Sequence, residues 1–293
     1  MINENWNEKK NMKNDPCFSI IVVCYQAGKE LSETVKSIAS QTCGDYEVLV
    51  KDGMSTDGSV EELLSYLEIE KELAEKVQVI RQKDAGIYDA MNQAIQLMSG
   101  RYVLFLNCGD YFADEEVLYK TKQQITNWES SSKQTPAIFY GNRFNRISGS
   151  IEYAAPEITP FVCFRNIPCH QTCFYAASLF ADRGYDTGYR VRADYEHFLW
   201  SYFVKKTALI AMPFTVASYE GGGFSETAEN EKCSAKEHKE ITGKYMTLTQ
   251  LFLFRAYLLI TLAPLRHILA SSPKWSARYN RLVKTLYRRG GTK

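Results

Sequence analysis

Four short segments carry residue types that do chemistry: Asp52-Gly53-Met54-Ser55-Thr56-Asp57-Gly58-Ser59, Asp84 through Asn92, Asn107-Cys108-Gly109-Asp110, and Ala193-Asp194-Tyr195-Glu196. A carboxylate at a strand end accepts a hydrogen bond from the imide N–H of a base, and an adjacent glycine lets the backbone come close. That chemistry suits Asp52. Asp57 or Ser59 suits a helix N-cap instead, because Glu61 and Glu62 follow in the first turn. Asp84 precedes a run whose free backbone N–H groups would hold a diphosphate or a ribose, although capping the helix explains it equally well. The Asn107-to-Asp110 turn offers the hard oxygen ligands that Mg²⁺ or Mn²⁺ prefers, and such an ion would neutralise a diphosphate leaving group. Asp110 is the metal candidate there and Asn107 a nucleotide contact, while Gly-Asp before an apolar residue is also a common turn.

These segments need elements that bring them to one place. Phe18 to Cys24 (FSIIVVC) is an unbroken β-branched run of the kind found in strands covered on both faces. Leu31, Val35, Ile38 and Ala39 follow at helical spacing, and Tyr46 to Lys51 supplies a second strand. The unit repeats, with a helix over Val60–Glu75, a strand at Val77–Arg81, a helix over Ile87–Met98 and a strand at Tyr102–Leu106. Alternating strands and helices predict an α/β fold with a doubly wound, mainly parallel sheet. Ligands in such sheets sit beyond the carboxyl ends of the strands, where the chemical segments fall. Beyond Asp114 the pattern is mixed: a helix to about Asn127, strands at Ala137–Asn142 and Ser150–Ala154, a helix over Tyr195–Phe203, and a pair of apolar segments around Pro213.

Composition excludes several classes. The chain has 293 residues and a formal net charge of +1, which argues against wholesale nucleic-acid binding. No strand is followed by G-x-G-x-x-G, and Gly28-Lys29 lacks the surroundings of a P-loop. The eight cysteines form no Cys-x-x-Cys pair, and the first fifteen residues are polar and Asn-rich rather than a signal peptide, which reads as reduced thiols in the cytoplasm. Cys163, Cys169, His170 and Cys173 lack zinc-module spacing and read as small buried residues beside a functional histidine.

The segments SIIVVCYQ (Ser19–Gln26), DGMSTDG, DAGIYDAMNQAI and FLNCGDYF (Phe105–Phe112) occur in the order seen in family 2 of the inverting glycosyltransferases, and the chain resembles a GT-A fold enzyme of that family. The resemblance is close over Phe18–Phe112 and looser as far as Phe224-Ser225. It implies a nucleotide-sugar donor, with the backbone near Val23 and Tyr25 and the carboxylate of Asp52 holding the base, Asp84 near the nucleotide, and Asp110 completing a Mn²⁺ or Mg²⁺ site. Where the family commonly has Asp-x-Asp, this chain has Asn107-x-Gly109 with Asp110 following, so fewer carboxylates face the ion. Asp194 resembles the family's catalytic base, a role that needs one carboxylate near the acceptor hydroxyl. An N-cap is the alternative for Asp194, and Glu196 is a rival base. His170 and Gln171 resemble positions beside the acceptor, and Gly222 and Ser225 a loop over the donor.

The ends differ from the body. Ten of the 35 Lys and Arg but none of the 34 Asp and Glu lie after Glu240. Within that stretch Leu248–Leu265 is apolar but interrupted by Arg255 and ended by Pro264, too short to span a bilayer. It reads as an interfacial helix drawn to anionic lipid, or as a helix packed on the protein's own surface. The expected division is therefore a polar extension over 1–16, a glycosyltransferase domain over 17–240 (nucleotide half to about 112, acceptor half after it), and a basic, apolar helical tail over 241–293. The function expected is transfer of a sugar, UDP-linked by preference, to a saccharide or polyprenyl-linked acceptor in cell-envelope assembly, at the inner face of the cytoplasmic membrane. The alternative is a catalytically degenerate nucleotide-sugar-binding subunit. A nucleotidyltransferase would need a glycine-rich basic loop after the first strand, and Tyr25–Glu30 is not one.

Overall fold

Phe18–Cys24 (β1) is buried at every position, which is what its unbroken apolar run requires. The computed structural model describes residues 15–131, 135–219 and 227–261. Helix Glu30–Ala39 (α1) lays Leu31, Val35 and Ile38 inward, and Tyr46–Asp52 (β2) pairs in parallel with β1 so that Cys24 lies beside Asp52. Then come Ser59–Ile69 (α2), Lys71–Ala74 (α3), Val77–Arg81 (β3), Ile87–Ile95 (α4) and Tyr102–Phe105 (β4). The single helix expected over Val60–Glu75 is broken at Glu70, whose φ of −88° and ψ of 72° leave the helical region.

The second half adds Tyr111–Phe112 (β5), Val117–Ser130 (α5), Ala137–Asn145 (β6), Ser150–Glu152 (β7), Pro160–Arg165 (α6), Cys173–Ala176 (β8), Ser178–Asp182 (α7), Ala193–Phe203 (α8), Ala208–Tyr219 (β9), Ala228–Tyr245 (α9) and Leu248–Ile260 (α10). A single 3-10 turn at His170–Thr172 precedes β8. Helix α6 starts where sequence rules put it, with Pro160 in its first turn and Thr159 capping the N–H of Val162 at 3.2 Å.

The strands form one sheet in the order β3-β2-β1-β4-β8-β6-β9-β5, with β7 on β6. β1 to β4 are mutually parallel, β6 and β9 pair in parallel, and β8 is antiparallel to both β4 and β6. The expected mainly parallel, mixed sheet with flanking helices is thus the observed one. The apolar pair around Pro213 is one strand, not two: β9 runs through the proline by bulging, with Tyr140 opposite Ala211 and Asn142 opposite Thr215. A proline has no N–H to give a ladder, so it sits in the bulge. Gly141 faces that bulge, and a Cβ there would lie 2.7 Å from Val216 Cγ2 and 2.8 Å from the Phe214 carbonyl.

The chain divides into two compact units, Met1–Ile241 and Thr242–Lys293. Within the second, α10 begins with a capping box between Thr247 and Gln250. Its Leu248, Phe252, Leu253, Tyr257, Leu259 and Ile260 are exposed. No helix among the described residues is long and apolar enough to cross a membrane. Gly222, Ser225 and the basic stretch from 262 onward lie outside the described residues.

Candidate active site

Parallel pairing of β1, β2 and β4 brings their carboxyl ends to one edge of the sheet. A cavity of about 340 Å³ opens there, and seven residues selected from the sequence line it: Val23, Tyr25, Asn107, Asp110, His170, Gln171 and Asp194.

Asp52 and Asp84 stand behind this wall. Asp52 is fully buried; Ser55 N–H lies 3.0 and 3.1 Å from its two oxygens, and Arg81 Nε lies 3.3 Å from Oδ2. Contact with a base would require the loop to uncover that carboxylate. Asp84 accepts from Lys51 Nζ at 2.8 Å, and the same ammonium donates to the Gln82 carbonyl at 2.6 Å and the Asp52 carbonyl at 3.1 Å. All three donors of a wholly buried cation are thereby used. The sequence reading missed Lys51, whose signal is a lysine inside the apolar run just before Asp52. Gly53 sits in the angle between these groups, where a Cβ would be 3.0 Å from Asp84 Oδ2 and 3.2 Å from the Tyr25 ring. The loop is therefore pinned by charge at its base and closely packed against Asp84 and Tyr25 at Gly53.

The Asn107-to-Asp110 turn is held by Thr34 of α1, whose hydroxyl accepts from Gly109 N–H at 3.0 Å and donates to the Asp110 carbonyl at 3.1 Å. Arg146 donates to the Gly109 carbonyl and lies 4.6 Å over the Tyr111 ring. Asp110 is nearly buried, and its Oδ2 accepts from Gln171 Nε2 at 2.9 Å. Asn107 Nδ2 lies 3.2 Å from His170 Nε2, while Asn107 Oδ1 is buried with no hydrogen-bond partner among the described residues. An orphaned amide oxygen beside a carboxylate is a donor set for a hard cation.

Asp194 comes from the first turn of α8. His170 Nδ1 lies 3.2 Å from its Oδ2 and the Tyr88 hydroxyl 2.8 Å from its Oδ1. Nδ1 of the ring thus faces the Asp194 carboxylate and Nε2 the Asn107 amide. Burial pushes the Asp194 carboxyl upward, but hydrogen bonds from His170 and Tyr88 and the charge of His170 outweigh it, so the group is held below the ordinary carboxylate range. Burial and the Asp194 charge raise the Tyr88 phenol well above its usual value, so it stays a donor. Tyr88 was not singled out in the sequence, although it stands in the DAGIYDAMNQAI segment on the first turn of α4.

Glu196, the rival base, is no candidate: it is fully buried and takes Arg183 Nη2 at 2.6 Å and Nη1 at 3.3 Å, away from the cavity. The cysteines around His170 make no zinc site either. All eight are free thiols, and no group of three or more His, Cys, Asp or Glu among the described residues is placed to hold a metal ion. Cys173 donates to the Cys169 carbonyl at 3.3 Å, and burial pushes Cys163 up to about 12, so these sulfurs stay protonated.

The family model described as Glycosyl transferase family 2 matches residues 19–181. The chain is 34% identical over 214 residues to a PGL/p-HBAD biosynthesis glycosyltransferase of Mycobacterium tuberculosis, which spans 72% of this chain and 80% of the relative. Among solved structures it is similar to residues 1–349 of S. aureus TarS in complex with UDP-GlcNAc, with a TM-score of 0.58, 18% identity, and coverage of 78% of this chain and 71% of that one. It spans only 44% of a longer TarS structure. It is also similar to the mannosyltransferase PcManGT of Pyrobaculum calidifontis in complex with GDP-Man and Mn²⁺, with a TM-score of 0.57, 14% identity, and coverage of 92% and 84%. At these structural identities the likeness is one of fold.

Proposed function

Because the chain belongs to glycosyl transferase family 2, we propose that it transfers a sugar, with inversion, from a nucleoside-diphosphate sugar to a hydroxyl of a saccharide or lipid-linked saccharide in cell-envelope assembly. A UDP-sugar is the favoured donor, supported by the UDP-GlcNAc complex of TarS. The observation that carries the reading is Asp194: an ionised carboxylate, 18% exposed, held between Tyr88 and His170 on the wall of the cavity where β1, β2 and β4 end.

In this reading the donor lies along Val23, Tyr25 and Asn107, and the loop braced by Asp52, Lys51 and Asp84 shapes the nucleotide end. Asp194 takes the proton of the acceptor hydroxyl as its oxygen bonds to the anomeric carbon. The bond from that carbon to the diphosphate breaks in line on the opposite face, and the nucleoside diphosphate leaves with the electron pair. Tyr88 and His170 orient the carboxylate. Asp110 and the partnerless oxygen of Asn107 fit a divalent cation, whose chemistry when bound is to neutralise the diphosphate leaving group. With one carboxylate in that set, the protein would supply only part of such an ion's ligands.

The C-terminal region attaches the enzyme to an anionic membrane surface, at the inner face of the cytoplasmic membrane. Support comes from the exposed apolar side chains of α10 together with ten basic and no acidic residues after Glu240.

The test is to follow nucleoside diphosphate release from UDP-, GDP- and dTDP-sugars with and without Mn²⁺, alongside thermal stabilisation by the same nucleotides. Metal-dependent release with one donor class is the expected result. Stabilisation by a nucleotide with no release from any sugar would establish a binding subunit instead.

A further inference from the structure

A second cavity, of about 240 Å³, opens on the other side of His170 and Asp194. It shares Asp194, His170, Gln171, Val191 and Tyr219 with the first, so the two spaces meet at the proposed base. Among the described residues Asp194 is the one carboxylate on its wall, against two guanidinium groups, Arg143 and Arg192.

The two arginines differ in what already satisfies them. Arg143 is neutralised by Glu152, with Nε and Nη2 at 2.7 and 2.6 Å from Oε2, and it stacks 4.9 Å over the Tyr219 ring. Arg192 has no such partner among the described residues. Its Nε donates to the Ser234 hydroxyl at 2.7 Å and the Ser234 carbonyl at 3.0 Å, and its guanidinium lies 5.3 Å over the Tyr195 ring. The nearby Glu237 carboxylate is already occupied by the backbone N–H groups of Arg190, Val191 and Arg192 at 2.7–3.0 Å. Arg192 is thus fixed by its inner nitrogen and its ring contact, with two outer amino groups unengaged beside the cavity. A half-buried guanidinium held in this way presents a fork suited to a carboxylate or phosphate.

Resting on the transferase reading, we infer that this second cavity receives the acceptor and that Arg192 selects one carrying an oxyanion beside the hydroxyl to be glycosylated. That oxyanion is the carboxylate of an acidic sugar or the diphosphate of a lipid-linked one. Such an acceptor has to approach the negative Asp194, and the Arg192 charge offsets the repulsion that would otherwise keep it away.

The experiment titrates the full chain with three probes: an octyl hexoside, the matching octyl uronide and an octyl diphosphate-linked hexose. Each titration is run on nucleotide-free protein and on protein saturated with its nucleoside diphosphate and Mn²⁺. At least one anionic probe should bind about tenfold more tightly than the neutral hexoside, and which one does so names the source of the oxyanion. Arg192→Gln should reduce the preference to under about threefold and Arg192→Lys should keep part of it. Equal binding of all three probes, no binding by any, or a preference that survives in Arg192→Gln would overturn the inference. Failure of any nucleotide to bind would count against the donor reading alone, because the anion preference is still measured on the nucleotide-free protein.

Discussion

His170 Nδ1 lies 3.2 Å from Asp194 Oδ2, and Asn107, 63 residues before the histidine, closes the other side of the ring at 3.2 Å. The strand-end turn proposed to face the diphosphate is therefore wired through one imidazole to the carboxylate proposed to take the acceptor proton. Movement of Asn107 toward a cation or phosphate changes what Nε2 sees, and through Nδ1 what Asp194 sees.

Replacing Asp194 with Asn should lower transfer by about 10²–10⁴ while nucleotide affinity stays near the wild-type value. Retention of more than about a tenth of the rate would move the base elsewhere. Glu196→Gln should behave in the opposite way. It leaves Arg183 without its carboxylate and should cost about 3 kcal/mol of stability, yet the folded variant should keep its kcat. Steady-state kinetics beside melting curves separate the two carboxylates.

The pH profile follows from the same geometry. The folded Asp194 carboxyl lies below the ordinary range, because His170 and Tyr88 overcome the effect of burial. Its ionised form is the active base, so the acid limb of kcat/KM should fall below the usual aspartate range rather than above it. A depressed folded pKa contributes stability that is present above the unfolded value and lost as pH falls through the folded one. The stability difference between the wild type and Asp194→Asn should accordingly shrink on acidification. An acid limb displaced upward would show that a different, desolvated carboxyl controls the rate.

How much of this was readable in advance depends on the range of the interactions. β1, β2 and β4 announced themselves because strands covered on both faces are unbroken apolar runs, and the loops after them carried Asn107 and Asp110 to the cavity. Asp52 was chosen for its place at a strand end, but Ser55 and Arg81 already bind its carboxylate, a contact that residue type alone does not reveal. Tyr88 reaches Asp194 across 106 residues of sequence, and Glu196 is turned aside by Arg183, thirteen residues away with no regular spacing. β9 was obscured by Pro213, because a bulge that tolerates proline is a property of the pairing with β6 and not of the strand itself.

Gly141 tests that pairing. A methyl group there would press on Val216 Cγ2 at 2.7 Å and on the Phe214 carbonyl at 2.8 Å, and the carbonyl belongs to backbone that cannot swing aside. Gly141→Ala should cost about 1–3 kcal/mol, or roughly 2–4 °C in Tm for each kcal/mol in a domain of this size. Because β6 also carries Arg143, the variant should weaken acceptor binding more than nucleotide binding. A Tm unchanged to within a degree would mean that the bulge relaxes around the added methyl.

The last prediction concerns α10. Phe252 and Ile260 are 70% and 80% exposed, which in water favours burial against some other apolar phase. In the membrane reading that phase is the boundary between headgroups and acyl chains, and the basic residues after Glu240 add attraction to anionic lipid. Vesicles with anionic lipid should therefore sediment the full chain, and raising salt should weaken binding without abolishing it, because the apolar part is not screened. The double substitution Phe252→Glu, Ile260→Glu places two charges in that boundary and should release the protein at low salt as well. If the double variant sediments as the wild type does, α10 is not the contact. If its Tm falls by several degrees while binding is unchanged, the helix packs on protein rather than on lipid.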